Sequence, residues 1–381
     1  MDLDGVKIAL VLASSAGGVG RHVRSVAERL VRRGARVVVC GPADTERLFG
    51  FTAGGARFAA VEIADRPRPP ADARAIARLR ALLRGADLAH AHGLRAGGLT
   101  VAACARPLAG PLRIGKGGPA VVVTLHNALL AGGLVGAAYR VLERIVAVGA
   151  DRVLAVSPDL EERMRALGAR RVGRALVPAP AAPPPDPSAC RAVRAELGAD
   201  GRPLIVTVGR LAEQKGLLTL LEAAAGWARR TPPPLVAVAG DGPLRDELQA
   251  RIDAAALPVR LLGRRSDVPD LLAAADVAVV PSLWEGQPLI VQEILRAGRP
   301  LVATRVGGIP PLLGTEEAGE VAGLLVPPGD AAALEGAVSR ILDDAALADR
   351  LAAAAARRAA ALPTEDEAVD ALVRVYRDLL R

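Results

Sequence analysis

The sequence predicts an α/β protein built from two doubly wound domains, each a parallel sheet with helices on both faces, facing one another across a cleft. Three observations carry this expectation. Short apolar runs alternate with helical patterns, the alternation occurs twice, and a proline cluster separates the two series. Strand–helix alternation implies a parallel sheet, because each crossover helix packs on a face of the sheet it serves. A chain of 381 residues, 51% of them apolar, is long for one core and sufficient for two.

The first series opens with Val6-Lys-Ile-Ala-Leu-Val-Leu-Ala13, which reads as a buried strand. Ser14-Ser-Ala-Gly-Gly-Val-Gly20 turns the chain into a helix ending about Arg33. Further strands fall near 36–40, 87–91, 119–125, 152–156 and 172–177. The pattern restarts at Pro203-Leu-Ile-Val-Thr-Val-Gly209, with strands near 235–239, 258–262, 276–280, 299–303 and 322–326. Between the series, Val177-Pro-Ala-Pro-Ala-Ala-Pro-Pro-Pro-Asp-Pro187 holds six prolines in eleven residues. Such a run is excluded from central strands and helix interiors and reads as a semi-rigid connector. The expected domains are therefore 1–178 and 201–363, with a linker over 179–200. Residues 364–381 form an amphipathic helix suited to packing back on the first domain.

Charge is unevenly divided. Residues 1–178 hold 27 Lys+Arg against 14 Asp+Glu, and residues 179–381 hold 22 against 27. The basic first half points to an anionic partner, such as a phospholipid surface or a lipid-phosphate acceptor. Nucleic acid is not expected, because aromatics are only 2% and no binding motif is present. Cys40, Cys104 and Cys190 are too few and too scattered for a disulfide framework or a metal cluster, which favours a reducing compartment. No cleavable signal pattern opens the chain, and the uncharged stretch 117–139 is broken by Gly, Pro, His and Asn. The expected location is cytoplasmic, with peripheral contact at the inner face of the membrane.

Chemistry concentrates in the second series. Glu285-Gly-Gln-Pro-Leu-Ile-Val-Gln-Glu293 places two carboxylates eight positions apart, behind the strand near 276–280. Pro288 suits a helix start, so Glu285 falls in the loop at the helix mouth and Glu293 one to two turns inside. A helix mouth offers free N–H groups and a positive dipole end to a phosphate, and carboxylates beside it accept hydrogen bonds from sugar hydroxyls. Gly209-Arg210-Leu-Ala-Glu-Gln-Lys215-Gly216 likewise joins a strand to a helix and holds two cations at the sheet edge. With only Lys7, Lys116 and Lys215 in the chain, a lysine retained there is informative. Two cations so placed neutralise a diphosphate and stabilise it as a leaving group. Weaker signals are the turns Ala239-Gly-Asp241-Gly242-Pro243 and Gly307-Gly308, and the Gly17-Gly18-Val-Gly20 loop of the first domain. All four histidines, His22, His90, His92 and His126, lie in that domain; His90 and His92 share one face of a strand end, and His126 follows the strand near 119–125.

Taken together, these segments resemble the family 4 glycosyltransferases of the GT-B fold, whose domains are Rossmann-like. The most specific stretches are Pro281-Ser-Leu-Trp-Glu-Gly-Gln-Pro-Leu-Ile-Val-Gln-Glu293, Ala297-Gly-Arg-Pro-Leu-Val-Ala-Thr-Arg-Val-Gly-Gly308 and Gly209-Arg-Leu-Ala-Glu-Gln-Lys-Gly216. The resemblance implies a hexosyltransferase that uses a nucleotide-diphosphate sugar and retains anomeric configuration, with no metal or other cofactor. It implies that Arg210 and Lys215 hold the diphosphate, Glu285 the sugar hydroxyls and Glu293 the ribose. Gly286, Gln287, Pro288 and Leu289 would line the sugar and phosphate pocket. Gly18 would approach the phosphate, His126 the transferred sugar, and Arg264 the base, with Asp241 and Gly242 nearby. The acceptor class is open between lipid, saccharide and small molecule. Pro311 stands where the family often carries Glu after its Gly-Gly-x-Pro. A nucleotide-sugar epimerase and a non-catalytic sugar-nucleotide-binding subunit are the alternatives on this architecture.

Overall fold

The computed structural model describes residues 3–15, 17–105, 118–127, 133–180, 186–314 and 321–381, with backbone alone for 133–135. Two compact units result: Met1–Pro178 with Pro363–Arg381, and Ala179–Leu362.

The first unit carries β1 (Lys7–Leu12), β2 (Arg36–Gly41), β3 (Arg57–Ala60), β4 (Leu88–His92), β5 (Ala120–Leu125), β6 (Arg152–Ala155) and β7 (Val172–Arg174). They form one sheet in the order β3-β2-β1-β4-β5-β6-β7, every neighbouring pair parallel. The second unit carries β8 (Leu204–Val208), β9 (Leu235–Ala239), β10 (Val259–Gly263), β11 (Val277–Val280), β12 (Leu301–Thr304) and β13 (Leu324–Val326). Their order, β10-β9-β8-β11-β12-β13, repeats the pattern of the first sheet. Both sheets are thus doubly wound, as the alternation predicts. The strand β3 was not expected; it is a half-exposed edge strand, and its short Arg-Phe-Ala-Ala run lacks the apolar density of the others.

Burial on both faces explains the continuous apolar strands. In the second unit, Leu204, Val206, Ala278 and Val280 face one core. Ile205, Val277 and Val279 alternate with them into the other, beside the fully buried Trp227.

The linker expected over 179–200 is a correction. Pro187–Leu197 is a helix whose N-cap Asp186 accepts from Ser188 N at 2.8 Å through Oδ1. Pro187 sits at its start, where a missing N–H costs nothing, and Val193 and Leu197 enter the core of the second unit. The proline density that signalled a connector therefore also starts a helix. Residues 181–185 lie outside the described residues, as do most of the loop 106–118.

The tail is the helix Glu365–Leu380, opened by a capping box between Thr364 and Glu367. Its buried stripe, Ala368, Val369, Leu372, Val373 and Tyr376, belongs to the first unit. Arg29 reaches Glu365 at 3.0 Å and Arg33 reaches Asp370 at 2.7 Å, tying the tail to the helix Gly18–Arg32.

Candidate functional site

In a doubly wound sheet, ligands bind beyond the carboxyl ends of the strands, at the point where strand order reverses. In the second unit that point lies between β8 and β11, which pair directly. The loop after β8 carries Gly209–Gly216, and the loop after β11 carries Pro281–Pro288. Lys215 Nζ meets Glu285 Oε1 at 2.5 Å, joining the two loops. Ser282 Oγ donates to the same carboxylate oxygen at 2.6 Å. Glu285 is 5% exposed, and the Lys215 side chain 26%. The two segments singled out independently in the sequence therefore meet.

The backbone of this corner is closely fitted. Gln214 Nε2 donates to Trp284 O at 2.8 Å, and Leu283 N to Gln214 O at 2.8 Å. Gly216 turns at φ +62°, and a Cβ there would overlap Pro281 O. Gly307 turns at φ +48°, where a Cβ would overlap Glu285 O, and Gly308 N donates to Glu285 O at 3.2 Å. The Gly307-Gly308 pair thus lets the loop after β12 approach and support the Glu285 backbone.

The helix Leu289–Arg296 starts from Pro288, which is its N-cap rather than part of its first turn. Glu293 is its fifth residue and half-buried. Gly286 and Pro288 are buried, while Gln287 and Leu289 are half-buried at the helix mouth. Gln292 is fully buried and accepts from Ala179 N at 2.9 Å, fixing the helix.

Arg210 is exposed, without an ion-pair partner among the described residues, directly after the loop's first glycine. Leu211 N donates to Asp241 O at 3.0 Å, which places the Asp241-Gly242 turn beside this loop. Arg264 is exposed on the loop after β10. Its neighbour Arg265 is instead engaged with Glu196 and Asp267, at 2.6 and 2.7 Å. Pro311 lies in the short helix Ile309–Leu313, and its carbonyl accepts from Arg358 Nη2 at 2.8 Å.

In the first unit the order reverses between β1 and β4, and the histidines gather there. His92 Nδ1 and His126 Nε2 are 3.2 Å apart. The His90 and His92 rings lie 4.2 Å apart between centroids, and His22 stands edge-on at 5.6 Å to both His92 and His126. His90 is bonded at both nitrogens, to Tyr376 Oη at 2.6 Å and Thr124 Oγ1 at 2.7 Å. Burial disfavours the imidazolium form: it pushes His90 down to about 3 and His92 and His126 well below the usual histidine range. Half-buried His22 falls to about 4 for the same reason. Gly18 begins the helix Gly18–Arg32 beside this cluster's sheet edge. Gly20 has a packing role, since a Cβ there would overlap the Phe49 ring.

Sequence reasoning missed Ser282, Gln214 and Tyr376. A serine three residues before a loop glutamate is a usable signal; a tyrosine 286 residues from its histidine is not.

Residues 202–344 match the family described as Glycosyl transferases group 1, and residues 17–180 match the Glycosyl transferase 4-like domain. The chain belongs to the family 4-like GT-B glycosyltransferases. Among relatives of this family 4-like chain, alpha-D-kanosaminyltransferase of Streptomyces kanamyceticus is 36% identical over 191 residues, covering 49% of this chain and 48% of that protein. Glycogen synthase of Mycobacterium tuberculosis is 35% identical over 158 residues, covering 40% and 37%. The chain thus spans about half the length, or less, of the curated relatives it matches. The crystal structure of Anabaena Alr3699/HepE in complex with UDP and glucose superposes with a TM-score of 0.80 at 20% identity, over 98% of this chain and 100% of that one. That likeness establishes the fold.

Among the described residues, no helix is long and apolar enough to cross a membrane. No group of three or more His, Cys, Asp or Glu among them is placed to hold a metal ion.

Proposed function

We propose that this chain is a retaining hexosyltransferase that moves a sugar from a nucleotide-diphosphate sugar to the hydroxyl of a lipid, saccharide or small-molecule acceptor. The observation that carries the reading is the Lys215–Glu285 pair at the reversal point of the second sheet. It sets an ammonium and a carboxylate side by side at the mouth of the helix Leu289–Arg296.

In this reading the donor sits on the second unit. Arg210 and Lys215 stabilise the diphosphate as it leaves with the electron pair of the sugar–oxygen bond. Lys215 keeps two further N–H donors after bonding Glu285. Glu285, held by Lys215 and Ser282, retains Oε2 as an acceptor for a sugar hydroxyl, and Glu293 serves the ribose. Backbone groups of Gly286–Leu289 line the phosphate, Asp241 and Gly242 support the Arg210 loop, and Arg264 reaches the base. On the first unit, His126 and Gly18 are the residues assigned to the transferred sugar and the phosphate. The acceptor oxygen attacks the oxocarbenium-like carbon on the departing face, and a diphosphate oxygen takes its proton. Charge neutralisation falls to the two cations, so the reading requires no metal.

A thermal-shift screen with uridine, guanosine and adenosine diphosphate sugars tests donor binding. Stabilisation by one donor, lost in Lys215→Ala, is the expected result; no shift with any of them would count decisively against it. Product formed only when an acceptor is added, with the donor's anomeric configuration, separates transfer from epimerisation and from binding alone.

We further propose that the first unit meets anionic membrane at the cytoplasmic face. Supporting this, Lys7, Arg36 and Arg57 begin β1, β2 and β3. With Arg84 they line a groove of about 580 Å³. All four side chains are exposed, with no ion-pair partner among the described residues. Equal binding to anionic and neutral vesicles would remove this part of the proposal.

A further inference from the structure

We propose that His92 is a positioning residue, donating from Nδ1–H to His126 Nε2 and so holding His126 as the neutral tautomer with its proton on Nδ1. The inference deepens the reading that His126 meets the transferred sugar, and it rests on an unpartnered atom.

His92 is 2% exposed, and its Nε2 is buried with no hydrogen-bond partner among the described residues. The 3.2 Å contact between His92 Nδ1 and His126 Nε2 admits two proton arrangements. If His126 donates, the His92 proton must sit on Nε2, leaving a buried N–H with no acceptor. If His92 donates, only a lone pair is left unused on Nε2. Buried donors without acceptors are the rarer and costlier defect, so the second arrangement prevails. An imidazolium on either ring is disfavoured by burial.

The surroundings fix the His92 ring without competing for its proton. His90 lies against it, tilted by 36° at 4.2 Å between centroids, but spends both nitrogens on Tyr376 and Thr124. His22 touches both rings edge-on. His126 is then left with Nδ1–H as a free donor. It meets an oxygen of the ligand as a neutral hydrogen-bond donor and not as a base. The second ring nitrogen of a functional histidine is commonly set in this way by its outer partner.

The deciding measurement is a long-range ¹H–¹⁵N spectrum of the full chain, labelled at histidine, at pH 7.5. Only four histidines contribute, and single His→Asn variants assign them. The expected spectrum shows His126 protonated on Nδ1 and unprotonated on Nε2. A His126 proton on Nε2 in the wild-type chain overturns the proposal, whether or not any variant folds. His92→Leu should release His126 into a mixture of tautomers and lower kcat about 10- to 100-fold. His92→Asn, whose side-chain N–H reaches the same position, should restore both. Loss that Asn leaves unrestored would show a merely structural role. The spectrum does not depend on sugar transfer, so failure of the enzymatic reading and failure of this one are distinguishable.

Discussion

Acidification from pH 7.5 to 5.5 should weaken the first unit while leaving the second nearly unaffected. His90, His92 and His126 are between 1% and 8% exposed in the folded chain, with His90 held at about 3 and the other two well below 6.5 by burial. Unfolding returns each to about 6.5. Because the folded values are depressed, the unfolded chain binds more protons, and stability falls as pH drops below about 6.5. At pH 5.5 an unfolded histidine is about nine-tenths protonated while its buried counterpart is neutral, a loss of about 1.4 kcal/mol each relative to pH 7.5. Three histidines give about 4 kcal/mol, a large share of the 5–15 kcal/mol typical of a domain. His22 is left out because its ring keeps some exposure. Carboxylates held low by partners, such as Glu161 beside Arg174 and Arg165, surrender their contribution only at lower pH. Urea unfolding at the two pH values supplies the assay. Trp227 and Trp284 are the only tryptophans and both lie in the second unit, so fluorescence follows that unit alone. Hydrogen exchange of peptides from β4 and β5, corrected for the intrinsic rate, follows the first. Equal shifts in both units, or none in the first, would refute the reasoning.

Other outcomes follow from individual contacts. Glu285→Gln removes the negative charge paired with Lys215 with little change in size and should lower kcat/KM at least about 100-fold, with the melting temperature as the control for folding. Gly307→Ala forces a side chain into a left-handed backbone and against Glu285 O. It should cost about 3 kcal/mol and disturb donor binding without altering any donor-contacting side chain, read by calorimetry and thermal shift. Tyr376→Phe leaves His90 Nδ1 buried without its partner and should destabilise the first unit by about 1–2 kcal/mol in urea.

The sheets and the candidate site of the second unit were legible because both rest on local signals. Apolar runs of strand length name the strands, and Arg210, Lys215, Glu285 and Glu293 sit at fixed offsets from strand ends. That Lys215 pairs with Glu285 was not legible, since strand order, not spacing, brings loops 70 residues apart together. The helix Pro187–Leu197 was hidden because proline is as much at home in a helix's first turn as in a connector. The histidine cluster was half legible: alternation put His90 and His92 on one face, whereas the Tyr376 contact spans the length of the chain.

The two-part makeup of the first unit governs how the chain is made. Its sheet is synthesised first, yet His90 lacks its tyrosine until the last few residues emerge, after all of 179–362. The second unit is one uninterrupted stretch, complete in sequence once Leu362 has been added. The first unit must wait through that interval with a buried face uncovered, exposed to chaperones and proteases. A stop codon between residues 363 and 376 would therefore leave 179–362 intact and strike the unit at the opposite end of the sequence.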